Sequence, residues 1–173
     1  MSKEQIVINP IISQTDLKGK ITFYNDAFLQ ISGFSKSELK GVSHSILRHP
    51  DMPKEAFAEL WKNLSSGKPW MGLVKNKCKN GDFYWVCAYV SPIFDKNGKI
   101  TGYQSVRVAP ERDQIQRAEK IYKLIKDGKK IWSKPNDFTK SSLLGVLATL
   151  GVGYTQATNM FDLLYISAFA GVF

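Results

Sequence analysis

The 173-residue sequence predicts an α+β fold: a five-stranded antiparallel sheet with short helices on one face, followed by a C-terminal helix and an apolar tail. The first observation is the order of the patterns, in which two β-branched segments precede several short helical segments and three longer strands. The second is the pair of turn signals, Asn80-Gly81 and Asn97-Gly98, that join the three long strands. Such turns connect antiparallel neighbours, so we expect one continuous sheet.

The first half of the chain alternates short strands with very short helices. Strands are predicted over 11–15 and 21–24, on either side of a turn at 16–20. A helix is predicted over 26–32, which ends at a glycine, and another over 35–41, which begins with a capping-box pattern.

A longer helix and three long strands follow. The helix over 54–66 has apolar residues at i, i+3, i+4 and i+7. The strands cover 70–79, 82–94 and 100–108. A helix over 111–128 shows the 3-4-3 apolar spacing of a coiled-coil seam, but it is short enough to lie back on the sheet instead.

The hairpin turn also predicts which side chains share a face. If Asn80-Gly81 is the whole loop, Asn76 pairs with Trp85, and the aromatic side chains of both strands face the helices. Across the next turn, Gln104 lies opposite Ser91 and shares the face of Asn76.

A sheet face of this kind has the features of a ligand cavity. Asn76 and Gln104 place two amides among aromatic residues, and Gly72 and Gly102 leave room. The alternative is a plain core in which both amides are satisfied by neighbours.

Composition limits the class of protein. Lysine and arginine exceed the acidic residues by 24 to 15, yet no nucleic-acid-reading motif appears, so a negative membrane surface or an acidic partner explains the charge as well. Cys78 and Cys87 lie on adjacent predicted strands that a disulfide could join, but two buried or half-buried free thiols in a reducing cytosol are expected. The N-terminus has no apolar segment of signal-peptide length, which predicts a cytoplasmic protein.

The C-terminal third changes character. Residues 1–110 form the predicted sensor domain, 111–128 the signalling helix, 129–140 a basic linker and 141–173 an apolar tail whose one charged residue is Asp162. Neither apolar run of the tail is long enough to cross a bilayer alone. The tail is expected to contact a membrane or dock on a partner, or else to complete the fold as a helical hairpin.

The stretch Arg48-His49-Pro50-Asp51-Met52-Pro53 stands out chemically. Its two prolines stiffen the loop and hold two basic groups and a carboxylate on short tethers. Asp51 also stands where the N-cap of the next helix is expected. The alternative is a capped helix start whose charges are incidental.

The chain resembles a known family in several motifs: Asn25-Asp26-Ala27-Phe28, Glu38-Leu39-Lys40-Gly41, Arg48-His49-Pro50-Asp51-Met52-Pro53-Lys54, Gly67-Lys68-Pro69-Trp70 and Lys79-Asn80-Gly81-Asp82. It is similar to PAS domains, and more narrowly to the sensor domains of aerotaxis receptors. The likeness runs from about Asp16 to Arg107.

The resemblance implies a PAS fold and non-covalently bound FAD whose redox state is sensed. It implies a signal to a methyl-accepting chemotaxis receptor, through a HAMP and signalling module in cis or in trans, at the inner face of the cytoplasmic membrane, with a homodimer as a further expectation. The flavin site carried over comprises seven residues: Asn25, Arg48, His49, Asp51, Phe57, Trp70 and Asn76.

The residue types agree with that site. Arg48 and His49 supply charge-assisted donors for a diphosphate or a flavin edge. Trp70 offers a flat face to an aromatic ring. Asn76 offers both a donor and an acceptor to the pyrimidine side of the flavin, and a change of its partners on reduction would be a local switch.

Two other functions are kept open. A haem-binding gas sensor would use His44 or His49 as axial ligand, and a ligand-free PAS module would act by protein contacts alone. An enzyme is not expected, because no nucleophile–base pair, carboxylate pair or phosphate-binding loop is visible. The stretch 43–51 has no cysteine, so the cysteinyl photo-adduct of light-sensing flavin PAS domains is not expected.

Overall fold

The computed structural model describes residues 2–129. The predicted linker beyond residue 129 and the apolar tail over 141–173 lie outside the described residues. Within residues 2–129, no helix combines the length and apolarity needed to cross a membrane.

A five-stranded antiparallel sheet forms the centre of the molecule, in the order β2-β1-β5-β4-β3. This confirms the predicted α+β architecture. The strands are β1 Ile11–Asp16, β2 Ile21–Tyr24, β3 Trp70–Lys77, β4 Phe83–Phe94 and β5 Ile100–Val108.

Within residues 2–129, five helical segments surround the sheet: the first four lie on one face, and the last lies on the other. They are α1 Asp26–Ser32, α2 Lys36–Leu39, a 3₁₀ turn His44–Leu47, α3 Lys54–Ser65 and α4 Arg112–Lys126. The Ser35–Glu38 capping box is present at the start of α2. Asp51, however, does not cap α3 as predicted: the N-cap position is Pro53, which offers no side-chain acceptor.

The three hairpins share one loop design, which corrects the predicted register. In the β3–β4 loop, Gly81 N donates to Cys78 O and Cys78 N donates to Asp82 O, with Gly81 at φ 90°. This is a three-residue loop with a left-handed glycine, not the two-residue turn that Asn-Gly favours. The predicted pairing of Asn76 with Trp85 is therefore wrong by one residue, and Asn76 pairs with Tyr84.

Because the loop is one residue longer, the side chains of β4 exchange faces relative to those of β3. Trp70 and Asn76 keep their place on the face that meets α1–α3, but Trp85 turns to the opposite face. The predicted pair of Ser91 with Gln104 is confirmed, yet Gln104 now lies on the face opposite to Asn76, where its side-chain oxygen accepts from the Gln14 amide at 3.0 Å.

Helix α4 covers the opposite face by packing on β3 and β4. Ile115, Ala118 and Tyr122 are buried, so the 3-4-3 spacing marks a helix that lies back on the sheet. The Tyr122 ring stacks on Trp85 at 6.3 Å between centroids, and its hydroxyl donates to Leu73 O at 2.6 Å. Side chains of α4 therefore cover this part of the sheet face.

Both cysteines are free and buried, as the sequence predicts. Burial raises the pKa of each thiol to about 11. Cys78 Sγ donates to Ile31 O at 3.2 Å. The two residues are structural thiols that stay protonated near neutral pH.

Candidate functional site

A cavity of about 400 Å³ lies between the sheet and helix α3. That volume falls within the range of small-molecule sites. Strands β1, β3, β4 and β5 supply one wall, α3 supplies the opposite wall, and the segment 43–48 closes a side. The cavity thus forms at the face that the sequence predicts, although β4 contributes different residues from those expected.

Four of the seven predicted site residues line this cavity: Arg48, Phe57, Trp70 and Asn76. Trp70 and Asn76 lie an even number of positions apart on β3 and therefore share a face. They are 2% and 4% exposed. The Arg48 guanidinium carbon lies 4.0 Å from the centre of the Phe57 ring, so the cation rests on an aromatic face of α3.

The stiff loop is joined to the sheet at the cavity. Arg48 and Asn76 form an isolated antiparallel β-bridge, through which the loop covers part of the free edge of β3. Met52 adds to this cover, since its sulfur accepts from Lys75 N at 3.3 Å. Backbone contacts therefore join the segment that carries Arg48 directly to β3.

His49 and Asp51 do not line the cavity. His49 Nδ1 accepts from Asp51 N at 3.1 Å, and its ring meets the Phe83 ring edge-on. Asp51 Oδ2 lies 2.6 Å from Lys75 Nζ, and this hydrogen bond lowers the pKa of the carboxyl. The pKa of His49 is also lowered, by burial and by the charge of Lys75. These side chains fix the outer side of the loop.

Asn25 also lies outside the cavity lining. Its Oδ1 accepts from Phe28 N and from Ile12 N, and its Nδ2 donates to Pro10 O. Every side-chain polar group of Asn25 is thus used to cap α1 and to hold the start of β1.

Arg107 is the residue of this site that the sequence reasoning missed. It is 5% exposed, lines the cavity and donates through Nη2 to Ser13 Oγ at 3.0 Å. Its Nη2 also lies 2.6 Å from His44 Nε2. The available signal was an arginine between two valines in a predicted strand, but the face that it occupies depends on the strand register.

His44 is held in its neutral form. Burial, with the added repulsion of the Arg107 guanidinium, lowers the pKa of His44 to about 3. Because an arginine can only donate, His44 Nε2 accepts that hydrogen bond and the ring proton sits on Nδ1. A haem iron at His44 Nε2 would have to displace Arg107.

Several buried polar atoms of the cavity face have no hydrogen-bond partner among the described residues. On the cavity wall these are Trp70 Nε1, Ser105 Oγ and Arg107 Nη1. Tyr84 Oη, on the same face of β4, shares this condition. Buried polar groups in native proteins are nearly always paired, so the atoms of this wall suit hydrogen bonds to a polar ligand.

Comparison with known proteins gives consistent results. A family model described as "PAS fold" matches residues 21–107. The chain is 47% identical over 119 residues to the aerotaxis receptor of Escherichia coli, a match that covers 69% of this chain and 23% of the receptor. It is 31% identical over 106 residues to the biofilm dispersion protein BdlA of Pseudomonas aeruginosa, which covers 59% of this chain and 24% of that protein.

Solved structures share the fold. The dark structure of the Aureochrome1 light-oxygen-voltage (LOV) domain superposes with a TM-score of 0.57 at 19% identity, covering 68% of this chain and 84% of that one. A light-oxygen-voltage domain studied with a flavin analogue gives 0.55 at 22% identity, covering 70% and 88%. This chain spans less than a quarter of the length of each of the two full-length relatives.

Proposed function

Because the chain belongs to the PAS-fold family, we propose that it binds FAD and senses redox state in energy taxis, signalling to a chemotaxis receptor module. The 47% identity to an aerotaxis receptor over 119 residues is the observation that carries this proposal. The cavity supports it, since its volume and its unpartnered polar wall suit a flat polar ring.

The residues present fit a flavin ring. Trp70 and Phe57 offer aromatic surface, and Asn76 offers an amide that can donate and accept. Trp70 Nε1 and Arg107 Nη1 offer donors without partners among residues 2–129. When bound, the flavin supplies a ring that takes up and releases electrons and protons. The chain's own task is to hold that ring and respond to its charge.

The response has a route to α4. Arg48 and Asn76, which line the cavity, are joined to each other by a β-bridge. Strand β3 continues to Leu73, whose carbonyl accepts from Tyr122 of α4. Lys126 Nζ, near the end of α4, donates to Pro50 O in the stiff loop at 2.9 Å. A change of hydrogen-bond partners at Asn76 can therefore shift α4, which leads out of the domain.

The remaining predicted site residues keep a role in the proposal. His49 and Asp51 hold the outer side of the loop that presents Arg48, and Asn25 holds β1 against α1. Direct contact of these three with FAD stays a prediction.

The wider setting is part of the same proposal. We place the protein in the cytoplasm at the inner face of the membrane, without enzymatic activity. Its partner is a methyl-accepting receptor module, in cis or in trans.

An absorption spectrum of the purified full chain tests the cofactor. We expect flavin bands, with FAD released on denaturation. A Soret band would show haem instead, and a colourless folded protein that still binds its receptor would show a ligand-free module. Either result contradicts the flavin assignment.

Two variants test the site itself. Arg48→Ala should reduce FAD retention at least several-fold with little loss of stability, since Arg48 is exposed and stacks on Phe57. Trp70→Phe should do the same; alanine at this 2% exposed position would cost about 3–5 kcal/mol of folding free energy. Lys96→Ala, on an exposed turn, is the control. Stoichiometric FAD in both site variants would refute the assignment.

A further inference from the structure

Two cations are buried among the described residues, and they are balanced differently. Lys75 is 8% exposed and has the Asp51 carboxylate at 2.6 Å. Arg107 is 5% exposed, and within residues 2–129 no carboxylate forms an ion pair with it. A buried charge without a counter-charge costs several kcal/mol, so Arg107 is expected to have an anionic partner from outside these residues.

The side chains around Arg107 are neutral. Ser13 and His44 accept from Nη2, and the Phe28 ring lies with its centre 5.6 Å from the guanidinium carbon. His44 stays uncharged because burial and Arg107 lower its pKa to about 3. These neighbours fix the direction of the guanidinium and leave its charge uncompensated.

The unpartnered atoms of the cavity wall are mostly donors. Arg107 Nη1 and Trp70 Nε1 can only donate, and the Ser105 hydroxyl can donate or accept. A set of this kind is satisfied by a ligand edge that carries acceptors, and a guanidinium is satisfied best by a negative one.

We propose that Arg107, aimed by Ser13 and His44, forms an anion-selective subsite that binds the negatively charged edge of a planar ligand in the cavity. This inference deepens, and for the flavin rests on, the function proposed above. The subsite favours the form of the ring that carries negative charge after reduction over the neutral oxidised form. Arg107 thereby raises the reduction potential of the bound cofactor.

The first test measures the reduction potential of the full-length holoprotein. Arg107→Met should weaken binding of the reduced ring relative to the oxidised ring at least tenfold, which is about 30 mV more negative for a two-electron couple. Arg107→Lys keeps the charge and should recover most of the shift. Arg117→Met, which removes an α4 arginine paired with Asp113, is the matched control and should leave the potential unchanged.

The second test needs no flavin. Calorimetry on cofactor-free protein compares benzoate with benzamide, which have nearly the same shape but differ in charge. Benzoate should bind the wild type at least tenfold more tightly, and Arg107→Met should abolish that preference. Equal affinities, or no binding of either compound, would overturn the subsite.

The two tests separate the inference from the function on which it rests. If Arg107→Met retains FAD at an unchanged potential, the subsite is refuted while the flavin sensor stands. If the wild type binds no flavin but discriminates benzoate from benzamide through Arg107, the flavin sensor is refuted while the subsite stands. Circular dichroism of each variant confirms that folding is retained.

Discussion

The two faces of the central sheet differ in how completely their buried polar groups are paired. The α4 face is closed by Tyr122 on Trp85 and by the Gln14–Gln104 amide pair. On that face Trp85 Nε1 is the side-chain atom left unpartnered within residues 2–129. The cavity face instead leaves a guanidinium nitrogen, an indole N–H and two hydroxyls without partners in the described part of the chain.

This division lets one sheet serve both folding and ligand binding. Apolar and aromatic burial on the α4 face stabilises the domain without any ligand. Polar groups on the cavity face have hydrogen-bonding capacity that a ligand in the cavity could use. Changes on the first face should therefore alter stability, and changes on the second should alter ligand binding.

The largest effect should come from Tyr122→Ala on the α4 face. Tyr122 is 2% exposed, and its loss should lower the free energy of unfolding by about 3–5 kcal/mol. Urea unfolding measures this. Flavin bound per folded molecule should stay at the wild-type level, and Lys120→Ala, exposed on the same helix, should change neither quantity. A loss of flavin without loss of stability would break the division between the faces.

A smaller effect is expected at Gly102, which belongs to the strand pairing that both faces share. A Cβ at this position would lie 2.4 Å from Thr15 O of the neighbouring strand. Gly102→Ala should therefore push β1 and β5 apart and cost about 1–3 kcal/mol in urea unfolding. An unchanged midpoint would show that the strands separate freely here.

The smallest effect should appear in the pH dependence of His44→Gln. Its pKa falls from 6.5 to about 3 on folding, so the unfolded chain binds more protons between these values. The stability contributed is present above pH 6.5 and is lost as pH falls towards 3. Between pH 7 and 5 the unfolding midpoint of the wild type should therefore fall more steeply than that of the variant.

The comparison with His49→Gln sharpens that test. The pKa of His49 is lowered as well, so its replacement should also flatten the slope. Carboxyls with lowered pKa values, such as Asp51, lose their contribution only at lower pH. Slopes that match the wild type in both histidine variants would contradict the neutral state of His44.

Much of the site was readable in the chain because its signals are local. Two prolines stiffen the loop that presents Arg48, and alternation along β3 places Trp70 and Asn76 on one face. Asn25, His49 and Asp51 share those motifs, yet the structure uses their polar groups for capping, loop geometry and an ion pair with Lys75. A local pattern identifies a polar residue, but it does not determine which neighbour that residue will bond to.

The sequence alone determined the order of the strands and helices, the glycine turns between them and the basic loop, because these depend on residues near one another in the chain. Tertiary structure alone decided which side chains of β4 face the cavity and that Arg107 is buried there beside His44. A loop of three residues in place of two moves every side chain of β4 to the other face of the sheet. Contacts such as Arg107 with Ser13 join residues 94 positions apart, and no local pattern encodes them.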